Sequence, residues 1–321
     1  MIRAKLNLEV NIGGLRIKNP VMPASGAFGE GMDKIIDFNL LGAVIPKSIT
    51  KYPQRGNQNP RACETKGGMI NSIGIQSNGI DYYLKEIVPY YKQYRAPLIS
   101  SISAESIDEF VEMSEIIGAV PKVSALELNI SCPNLKSDGR AFGMSDDVTH
   151  HLVSRVRKVT DKPILVKLTP NVTDIRSIAL AAEGAGADSL IVANTPLAMA
   201  IDIHSRQPKI GNIMGGLSGP AIKPIIVRQI YQVHQVSSIP IIGCGGVMTS
   251  DDAIEMMLAG ASAVQVGTAN FVSPTAMIDI VKGIQTYMEE HQLKRIDDLV
   301  GGVIIPDQRN ENTFNRRGEG K

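Results

Sequence analysis

The sequence has few cysteines, almost no net charge and no long apolar run, and these shortages exclude several classes of protein. Its 321 residues contain 3 cysteines, far apart, which form neither a disulfide framework nor a CxxC metal site and are typical of a reducing cytoplasm. The 5 histidines lack the spacing of metal ligands. A net charge of +1 gives no attraction to nucleic acid or to anionic membranes.

The missing apolar runs exclude a membrane protein. No stretch approaches the length of a membrane span, and the N-terminus lacks the apolar region of a signal peptide. We therefore predict a cytoplasmic protein without a metal site that binds neither nucleic acid nor membrane. A chain of 34.5 kDa buries enough surface to fold without disulfides or metals.

The sequence does contain a regular alternation of short apolar runs and amphipathic segments. Residues 6–12 and 15–17 flank Gly13-Gly14, which predicts an N-terminal β-hairpin. Eight further apolar runs are predicted strands, at 21–25, 43–48, 98–102, 125–129, 164–168, 189–194, 239–243 and 263–267. Helical patterns occur between and after them, at 106–117, 147–159, 174–185, 221–236, 251–258 and 274–290, with predicted N-caps at Ser145, Thr173 and Ser250.

Eight strand-then-helix units predict an α/β protein, and specifically a (β/α)8 TIM barrel formed by one domain over residues 1–305. Insertions at 49–96 and 200–216 are predicted to lie over the C-terminal mouth of the barrel. The polar tail, 306–321, is predicted to be disordered. The alternative is an open doubly wound sheet, which requires a dinucleotide fingerprint after its first strand, and residues 24–29 match that fingerprint poorly.

The predicted strands end in polar residues, where a barrel enzyme has its active site. Lys47 and Lys167 each close an apolar strand, which is costly unless an anionic group meets the ammonium. Either lysine alone could extend its charge to solvent. The other polar ends are Ser25, Ser48, Ser101, Asn129, Asn194-Thr195, Gly245-Gly246 and Gly267-Thr268.

One hexapeptide, Asn129-Ile130-Ser131-Cys132-Pro133-Asn134, carries the most chemistry. It follows a predicted strand, and Pro133 prevents an immediate helix. Its carboxamides can donate and accept hydrogen bonds, so they can read a planar ring that carries amide and carbonyl groups. Cys132 could act as a nucleophile or as a general base. The alternative is a buried structural thiol, because free cysteine is among the most buried residue types.

The glycine-rich loops after the last two strands, at 243–247 and 267–270, predict a phosphate site. Flavin mononucleotide (FMN) fits better than NAD, because no dinucleotide fingerprint is present. A lysine beside the flavin N1/C2 carbonyl would stabilise its anionic reduced form. With Cys132 as base, these groups predict dehydrogenation of a C–C bond next to a carbonyl, on a flat substrate held by Asn71, Asn129, Asn134, Asn194 and Thr195.

These motifs resemble those of the class 1 dihydroorotate dehydrogenases, the flavin enzymes of pyrimidine biosynthesis, from Leu6 to about Val303. The matching segments are Asn19-Pro20 through Ala24-Ser25-Gly26, Asn71-Ser72-Ile73-Gly74, the hexapeptide, Lys167-Leu168-Thr169-Pro170, Ala193-Asn194-Thr195 and Gly245-Gly246. Residues 215–224 are similar to the NAD-linked (B) subtype. That resemblance implies a second, electron-transfer subunit with FAD and an iron–sulfur cluster, and a homodimer of this chain within a heterotetramer.

The resemblance also implies roles for individual residues, with Cys132 as the catalytic base. The implied FMN contacts are Ser25, Lys47, Ser48, Ser101, Asn129, Lys167, Ala193, Gly219, Gly245, Gly246, Gly267 and Thr268. The implied contacts to dihydroorotate or orotate are Lys47, Asn71, Ser72, Ile73, Gly74, Ile75, Asn129, Asn134, Asn194 and Thr195. Ser101 departs from the family pattern, because an Asn usually faces the flavin at this position.

Three alternatives remain open at the level of sequence. A fumarate-linked dihydroorotate dehydrogenase differs in the electron acceptor. A barrel similar to dihydropyrimidine dehydrogenase would reduce uracil, but that family tends to carry His where Asn134 stands. A non-catalytic module would bind FMN without turnover and leave the thiol of Cys132 unexplained.

Overall fold

The computed structural model of the protein describes residues 6–131 and 142–306. Its strands are β1 (Val10–Ile12), β2 (Leu15–Ile17), β3 (Val21–Pro23), β4 (Ala62–Thr65), β5 (Gly68–Asn71), β6 (Leu98–Ile102), β7 (Val123–Leu128), β8 (Ile164–Lys167), β9 (Ser189–Val192), β10 (Leu197–Met199), β11 (Ile201–Asp202), β12 (Gln207–Pro208), β13 (Met214–Ser218), β14 (Ile241–Cys244) and β15 (Ala263–Val266). Its α-helices are α1 (Gly79–Tyr82), α2 (Val88–Lys92), α3 (Ile107–Gly118), α4 (Asp146–Arg157), α5 (Ile175–Gly184), α6 (Lys223–His234), α7 (Ser250–Leu258), α8 (Ala269–Val272) and α9 (Ala276–Glu290), and a π-helix, Tyr83–Ile87, joins α1 to α2.

Seven strands form one parallel sheet in the order β3-β15-β14-β9-β8-β7-β6. All residues of β6, β8, β9, β14 and β15 are buried, because helices cover the outer face and side chains fill the inner one. Continuous apolar runs are what such two-sided burial requires. The prediction of an α/β TIM barrel is confirmed, and the alternative of a doubly wound sheet is wrong.

The one predicted strand that is not part of this sheet, 43–48, closes the barrel as an irregular segment. It forms parallel bridges to β6 at Val44 and Ile49, and the Gly42 N–H donates to the carbonyl of Val21 at the start of β3. Pro46 has no N–H to donate, so a regular ladder cannot run through this segment. The segment therefore occupies the place between β3 and β6 without the bonds of a full strand.

The helices pack apolar faces against the sheet, as their sequence periods predict. In α3, Phe110, Met113 and Ile117 are wholly buried, and the Ser106 side chain accepts from the Glu109 N–H. Ser145 caps α4 as predicted.

Two predicted caps are wrong by one residue. Asp174 rather than Thr173 caps α5, and Thr249 rather than Ser250 caps α7. Thr249 takes that position because it forms a reciprocal capping box with Asp252.

The two insertions pair with each other although they are far apart in the chain. Strands β4 and β5 come from the first, β13 comes largely from the second, and β10 precedes it; together they form an antiparallel sheet in the order β10-β13-β5-β4. The small hairpin β11–β12 extends from the second insertion. At the N-terminus, β1 and β2 pair antiparallel around Gly13 and Gly14, so the predicted hairpin is confirmed, with its first strand shorter than expected.

Within residues 6–131 and 142–306, no helix combines the length and apolar character needed to cross a lipid bilayer. The predicted tail, 306–321, lies outside the described residues except for Pro306.

Candidate active site

A buried lysine ends strand β8 at the mouth of the barrel. The Lys167 side chain is 5% exposed, and its Nζ donates to Oε1 of Gln265 at 3.1 Å and to Oγ of Ser25 at 3.4 Å. Oε1 of Glu127 lies 3.8 Å from the same Nζ. Burial alone would lower the pKa of Lys167, but contact with Cys244 and Glu127 raises it above the usual value for lysine. The site therefore holds a fixed positive charge.

The carboxylate beside this lysine belongs to a connected buried network. Glu127 has no exposed surface, and its two oxygens accept from Ser101 Oγ at 2.8 Å and from Gln265 Nε2 at 2.7 Å. Ser48 Oγ lies 2.9 Å from Ser101 Oγ. Because the single Ser101 proton goes to Glu127, Ser48 donates to Ser101. The network thus joins two predicted cofactor contacts, Ser48 and Ser101, to Lys167.

Two of the predicted substrate amides contact each other. Asn194 Nδ2 donates to Asn129 Oδ1 at 3.3 Å and to Ser131 Oγ at 2.6 Å, and Ser131 Oγ donates to Asn129 Oδ1 at 2.8 Å. Asn194 Oδ1 accepts from the Thr195 N–H at 2.8 Å. Leu128 pairs with Val166, so Asn129 follows β7 level with Lys167 on β8. The amides and the ammonium group therefore share one side of the mouth.

The inserted sheet brings Asn71 to the same region. Gly216 on β13 is the register partner of Asn71 on β5. A Cβ at Gly216 would lie 2.0 Å from Oγ1 of Thr195, so only glycine permits this close approach. Asn71 and Thr195 are thus joined through one residue of β13.

The loop after Asn71 has a defined shape. Asn57 Nδ2 donates to Ser72 Oγ at 2.7 Å, and the Asn57 N–H donates to the carbonyl of Ile73 at 3.0 Å. Gly74 and Ile75 both have left-handed backbone, with φ of 71° and 47°. Ile75 is β-branched, for which this conformation is unusual and must be held by its surroundings.

A cavity of about 420 Å³ opens beside the second predicted lysine. Lys47 and Ser48 line it together with Gly26 and with Ile73 of the substrate loop. The cavity therefore brings predicted cofactor contacts and a predicted substrate contact to one space. Glu30 also lines it and is exposed.

The glycine-rich loops after β14 and β15 converge with the start of α6. Thr268 Oγ1 donates to Ser218 Oγ at 2.8 Å, and a Cβ at Gly246 would lie 2.6–2.8 Å from atoms of Lys223. Gly245 and Gly246 have φ of 123° and 84°, values that favour glycine.

These loops present backbone donors. In the part of the chain that the structure describes, the backbone N–H groups of Gly245, Gly246, Gly267 and Thr268 donate to no protein acceptor. The Lys223 ammonium group is paired with Asp252 and Glu255 and does not supply the charge for an anion there. A group of backbone N–H donors near a helix N-terminus suits a phosphate, so this part of the mouth fits the phosphate of FMN.

The remaining predicted cofactor contacts, Ala193 and Gly219, lie beside these glycine-rich loops. The Ala193 N–H donates to the carbonyl of Cys244 at 3.0 Å, which places Ala193 beside the loop after β14. Gly219 has φ of 101° and precedes the short 3-10 helix Pro220–Ile222 that leads into α6. Burial raises the pKa of the Cys244 thiol, although Lys167 opposes this shift, so the thiol is neutral near pH 7.

Cys132 and Asn134, predicted as base and as substrate contact, lie outside the described residues. The described residues on either side of that segment meet, because the Gly143 N–H donates to the carbonyl of Ile130 at 3.0 Å. Ser131, the residue before Cys132 in sequence, is bonded to the amide pair.

Sequence reasoning missed three residues of this site: Glu127, Gln265 and Ser131. The signal for the first two was available, since a carboxylate inside the apolar run 125–129 is costly to bury, as the lysines are, and an amide inside 263–267 also needs hydrogen-bond partners there. Ser131 is part of the hexapeptide, but the sequence predicted no role for its side chain. Its hydroxyl bridges Asn129 and Asn194, a contact that only the fold reveals.

Comparison with known proteins agrees with this geometry. The profile of the family described as dihydroorotate dehydrogenase matches residues 7–288. A protein of Alkaliphilus metalliredigens named dihydroorotate dehydrogenase B (NAD(+)), catalytic subunit, is 48% identical over 301 residues, which cover 93% of this chain and 99% of the relative. The protein of the same name from Desulforamulus reducens is 48% identical over 303 residues, covering 94% and 100%. That of Geotalea uraniireducens is 45% identical over 302 residues, covering 94% and 99%.

Proposed function

The chain belongs to the dihydroorotate dehydrogenase family, and we propose that it is the cytoplasmic catalytic subunit of an NAD-linked enzyme of pyrimidine biosynthesis that oxidises dihydroorotate to orotate. The observation that carries this proposal is the convergence, at one barrel mouth, of free backbone N–H groups, a buried ammonium group and a pair of amides. The first suits a phosphorylated cofactor, and the others suit a planar ring that carries carbonyl and N–H groups. FMN is the cofactor that fits both.

Each group has a separate part in the proposed reaction. FMN, when bound, supplies the hydride acceptor and passes electrons on. The loops at Gly245-Gly246 and Gly267-Thr268 would hold its phosphate, and Lys167 would place a positive charge beside its ring.

The substrate is oriented by side chains that the structure already holds in place. Asn194 has both Nδ2 protons committed to Asn129 and Ser131, which fixes both carboxamide planes. In the described part of the chain, Asn129 Nδ2 has no protein acceptor and is available to a carbonyl of the substrate. We propose that Asn71, the loop at 72–75, Asn134 and Thr195 complete the ring contacts, and that Cys132 takes the C5 proton of dihydroorotate onto Sγ.

The first prediction tests this proposal directly. Purified protein should carry flavin absorbance, and dihydroorotate added without oxygen should bleach it, because the substrate reduces the bound cofactor. The measurement is an anaerobic absorption titration, with uracil's reduced form, dihydrouracil, as the control. A colourless protein that takes up no FMN on reconstitution would overturn the proposal, and bleaching by dihydrouracil would move the chain to the dihydropyrimidine dehydrogenase alternative.

The same experiment identifies the electron acceptor. No dinucleotide fingerprint follows a strand, so NAD added to the bleached chain alone should not restore the absorbance. The relatives are named catalytic subunits, and we propose that a partner with FAD and an iron–sulfur cluster completes the path. Rapid recovery of the flavin absorbance with NAD alone would contradict the need for a partner. Efficient recovery with fumarate would assign the chain to the fumarate-linked subtype. A chain that binds FMN but is never bleached would be a non-catalytic module.

A homodimer of this chain is the second part of the partner proposal. An apolar strip is formed by exposed side chains at every second position, Leu197, Met199, Ile201 and Ile203, and Met214 lies opposite Met199 in the ladder. Ile203 is 79% exposed. Apolar surface of this kind marks an interface, and the interfaces of homodimers are more apolar than others. We propose that a second copy of the chain covers this strip.

The second prediction follows from that strip. Replacing Leu197 and Ile203 together with Asp should shift the mass in solution from two chains to one, because each carboxylate would be buried without a partner at the interface. The measurement is light scattering after size exclusion. Ile304→Asp is the matched control, since Ile304 is 90% exposed outside the strip and should leave the mass unchanged. A wild-type protein that is monomeric at micromolar concentration would refute the homodimer.

A further inference from the structure

We propose that Glu127 is a positioning residue that keeps Lys167 protonated, so that reduction of the bound cofactor requires no proton uptake by the protein. This inference rests on the proposed function. The resemblance to the family implied no role for Glu127. Its carboxylate has no exposed surface and lies 3.8 Å from the Lys167 ammonium group.

The hydrogen bonds around the two groups fit an ion pair of a carboxylate and an ammonium group. As a carboxylate, Glu127 accepts at both oxygens, from Ser101 Oγ at 2.8 Å and from Gln265 Nε2 at 2.7 Å, and one of these oxygens lies 3.8 Å from the Lys167 ammonium group. Lys167 Nζ donates to Gln265 Oε1 on the other side of the same amide. Gln265 therefore links the two charges through one side chain, with its carbonyl towards the cation and its NH2 group towards the anion.

The charges that face Lys167 come from two strands. Among the described residues, the titratable groups in contact with it are Glu127 from β7 and Cys244 from β14. The Cys244 thiol is neutral near pH 7, since burial raises its pKa. Near pH 7 Glu127 is thus the negative charge beside Lys167, and Cys244 adds to it only where the pH is high enough to ionise the thiol. Without Glu127, the ammonium group would be buried and uncompensated, and burial lowers the pKa of such a lysine strongly.

The charge of Lys167 determines how many protons the cofactor and the protein take up together when the cofactor is reduced. Two-electron reduction of FMN to its anionic form takes up one proton, so the equilibrium changes tenfold per pH unit, which is about 30 mV for a two-electron couple. If Lys167 starts neutral, the negative charge of the reduced cofactor draws a second proton onto Nζ. The equilibrium then changes a hundredfold per pH unit, or about 60 mV. Glu127 therefore determines whether the equilibrium changes tenfold or a hundredfold per pH unit.

The third prediction is that Glu127→Gln changes this slope. The variant can retain its hydrogen bonds, because the new carboxamide can accept from Gln265 and donate to Ser101, which then donates to Ser48 in the reverse direction. The midpoint potential of bound FMN, measured between pH 6.5 and 9, should change by about 30 mV per pH unit in the wild type and by up to about 60 mV in the variant. A purely structural role would lower thermal stability and leave the slope unchanged.

Two controls keep the charge and should keep the wild-type slope. Glu127→Asp shortens the side chain by one methylene. The exchange variant, Glu127→Gln with Gln265→Glu, moves the carboxylate to the other side of the hydrogen bond, still beside Lys167. The proposal would be overturned if the midpoint potential changed by about 30 mV per pH unit in Glu127→Gln, or by about 60 mV per pH unit in the exchange variant.

A measurement without flavin separates this inference from the proposed function. NMR of lysine labelled at Cε, with Lys167 assigned through Lys167→Arg, reports the charge of Lys167 in the apoprotein. Lys167 should stay charged to pH 10 in the wild type and should be neutral over most of the range from pH 6.5 to 9 in Glu127→Gln, which is the range in which the potential is measured. If the chain takes up no FMN, the proposed function fails and this titration still tests Glu127. Equal titration in both proteins would refute the role of Glu127 even where FMN binds.

Discussion

Cys132→Ala is expected to slow bleaching of the bound flavin by dihydroorotate about 10²–10⁴-fold, which is the usual contribution of a positioned general base. The phosphate loops and the Asn129–Asn194 pair do not include this side chain, so FMN content and orotate affinity should stay close to those of the wild type. Single-turnover stopped-flow absorbance under anaerobic conditions measures the reduction step itself.

The dependence on pH adds a second test of the base. Cys132→Ser keeps an ionisable oxygen in place of sulfur, and a hydroxyl is a far weaker acid than a thiol. We expect Cys132→Ser to be slow near neutrality and to recover as the pH rises. Cys63→Ala, on strand β4, is the matched control for loss of a thiol and should reduce at the wild-type rate. A Cys132→Ala protein with normal reduction and lowered stability would show that Cys132 is structural and that the base lies elsewhere.

Much of the barrel was predictable from sequence because its strands are buried on both faces. A strand such as β9 is then mostly apolar, and Ser189–Val192 lies within the predicted run 189–194. The same reasoning placed Lys167 at the mouth, since only a strand end lets a lysine next to apolar residues meet polar partners. The segment at 43–48 shows where an apolar run fails to predict a regular strand. Pro46 removes a ladder bond there, while the apolar pattern remains.

What could not be predicted depends on contacts between distant parts of the chain. Nothing in residues 68–71 specifies that β5 pairs with β13, so the sequence predicted that Asn71 and Thr195 hold one substrate but not the strand pairing that brings them together. The predicted flavin contact Ser101 has its proton committed to Glu127, an arrangement that exists only after β6 and β7 pair. Its contact with FMN stays a prediction, and so do the roles of Cys132 and Asn134.

Lys167→Met is expected to have two large effects with different causes. The first is on stability, because Glu127 would remain buried, charged and without its counter-ion, and breaking a buried ion pair in this way costs about 3–5 kcal/mol. The pKa of Lys167 is raised in the folded protein, so its favourable contribution is present below the pKa of the unfolded chain and is lost only as the pH rises through the higher folded value. The stability difference should therefore persist across the neutral range.

The second effect of Lys167→Met is on the reaction and follows from the lost charge beside the ring. Reduction by dihydroorotate should slow about 10²–10³-fold, the range seen when one preorganised charge-stabilising group is removed, while FMN is retained by the phosphate loops. The double variant Lys167→Met with Glu127→Gln separates the effects, because replacing both charges removes the unpaired carboxylate. Denaturant unfolding should then return to within about 1–2 kcal/mol of the wild type, while reduction stays slow. If the double variant recovers its rate together with its stability, Lys167 is a structural ion-pair partner and the positive charge at the flavin comes from another residue.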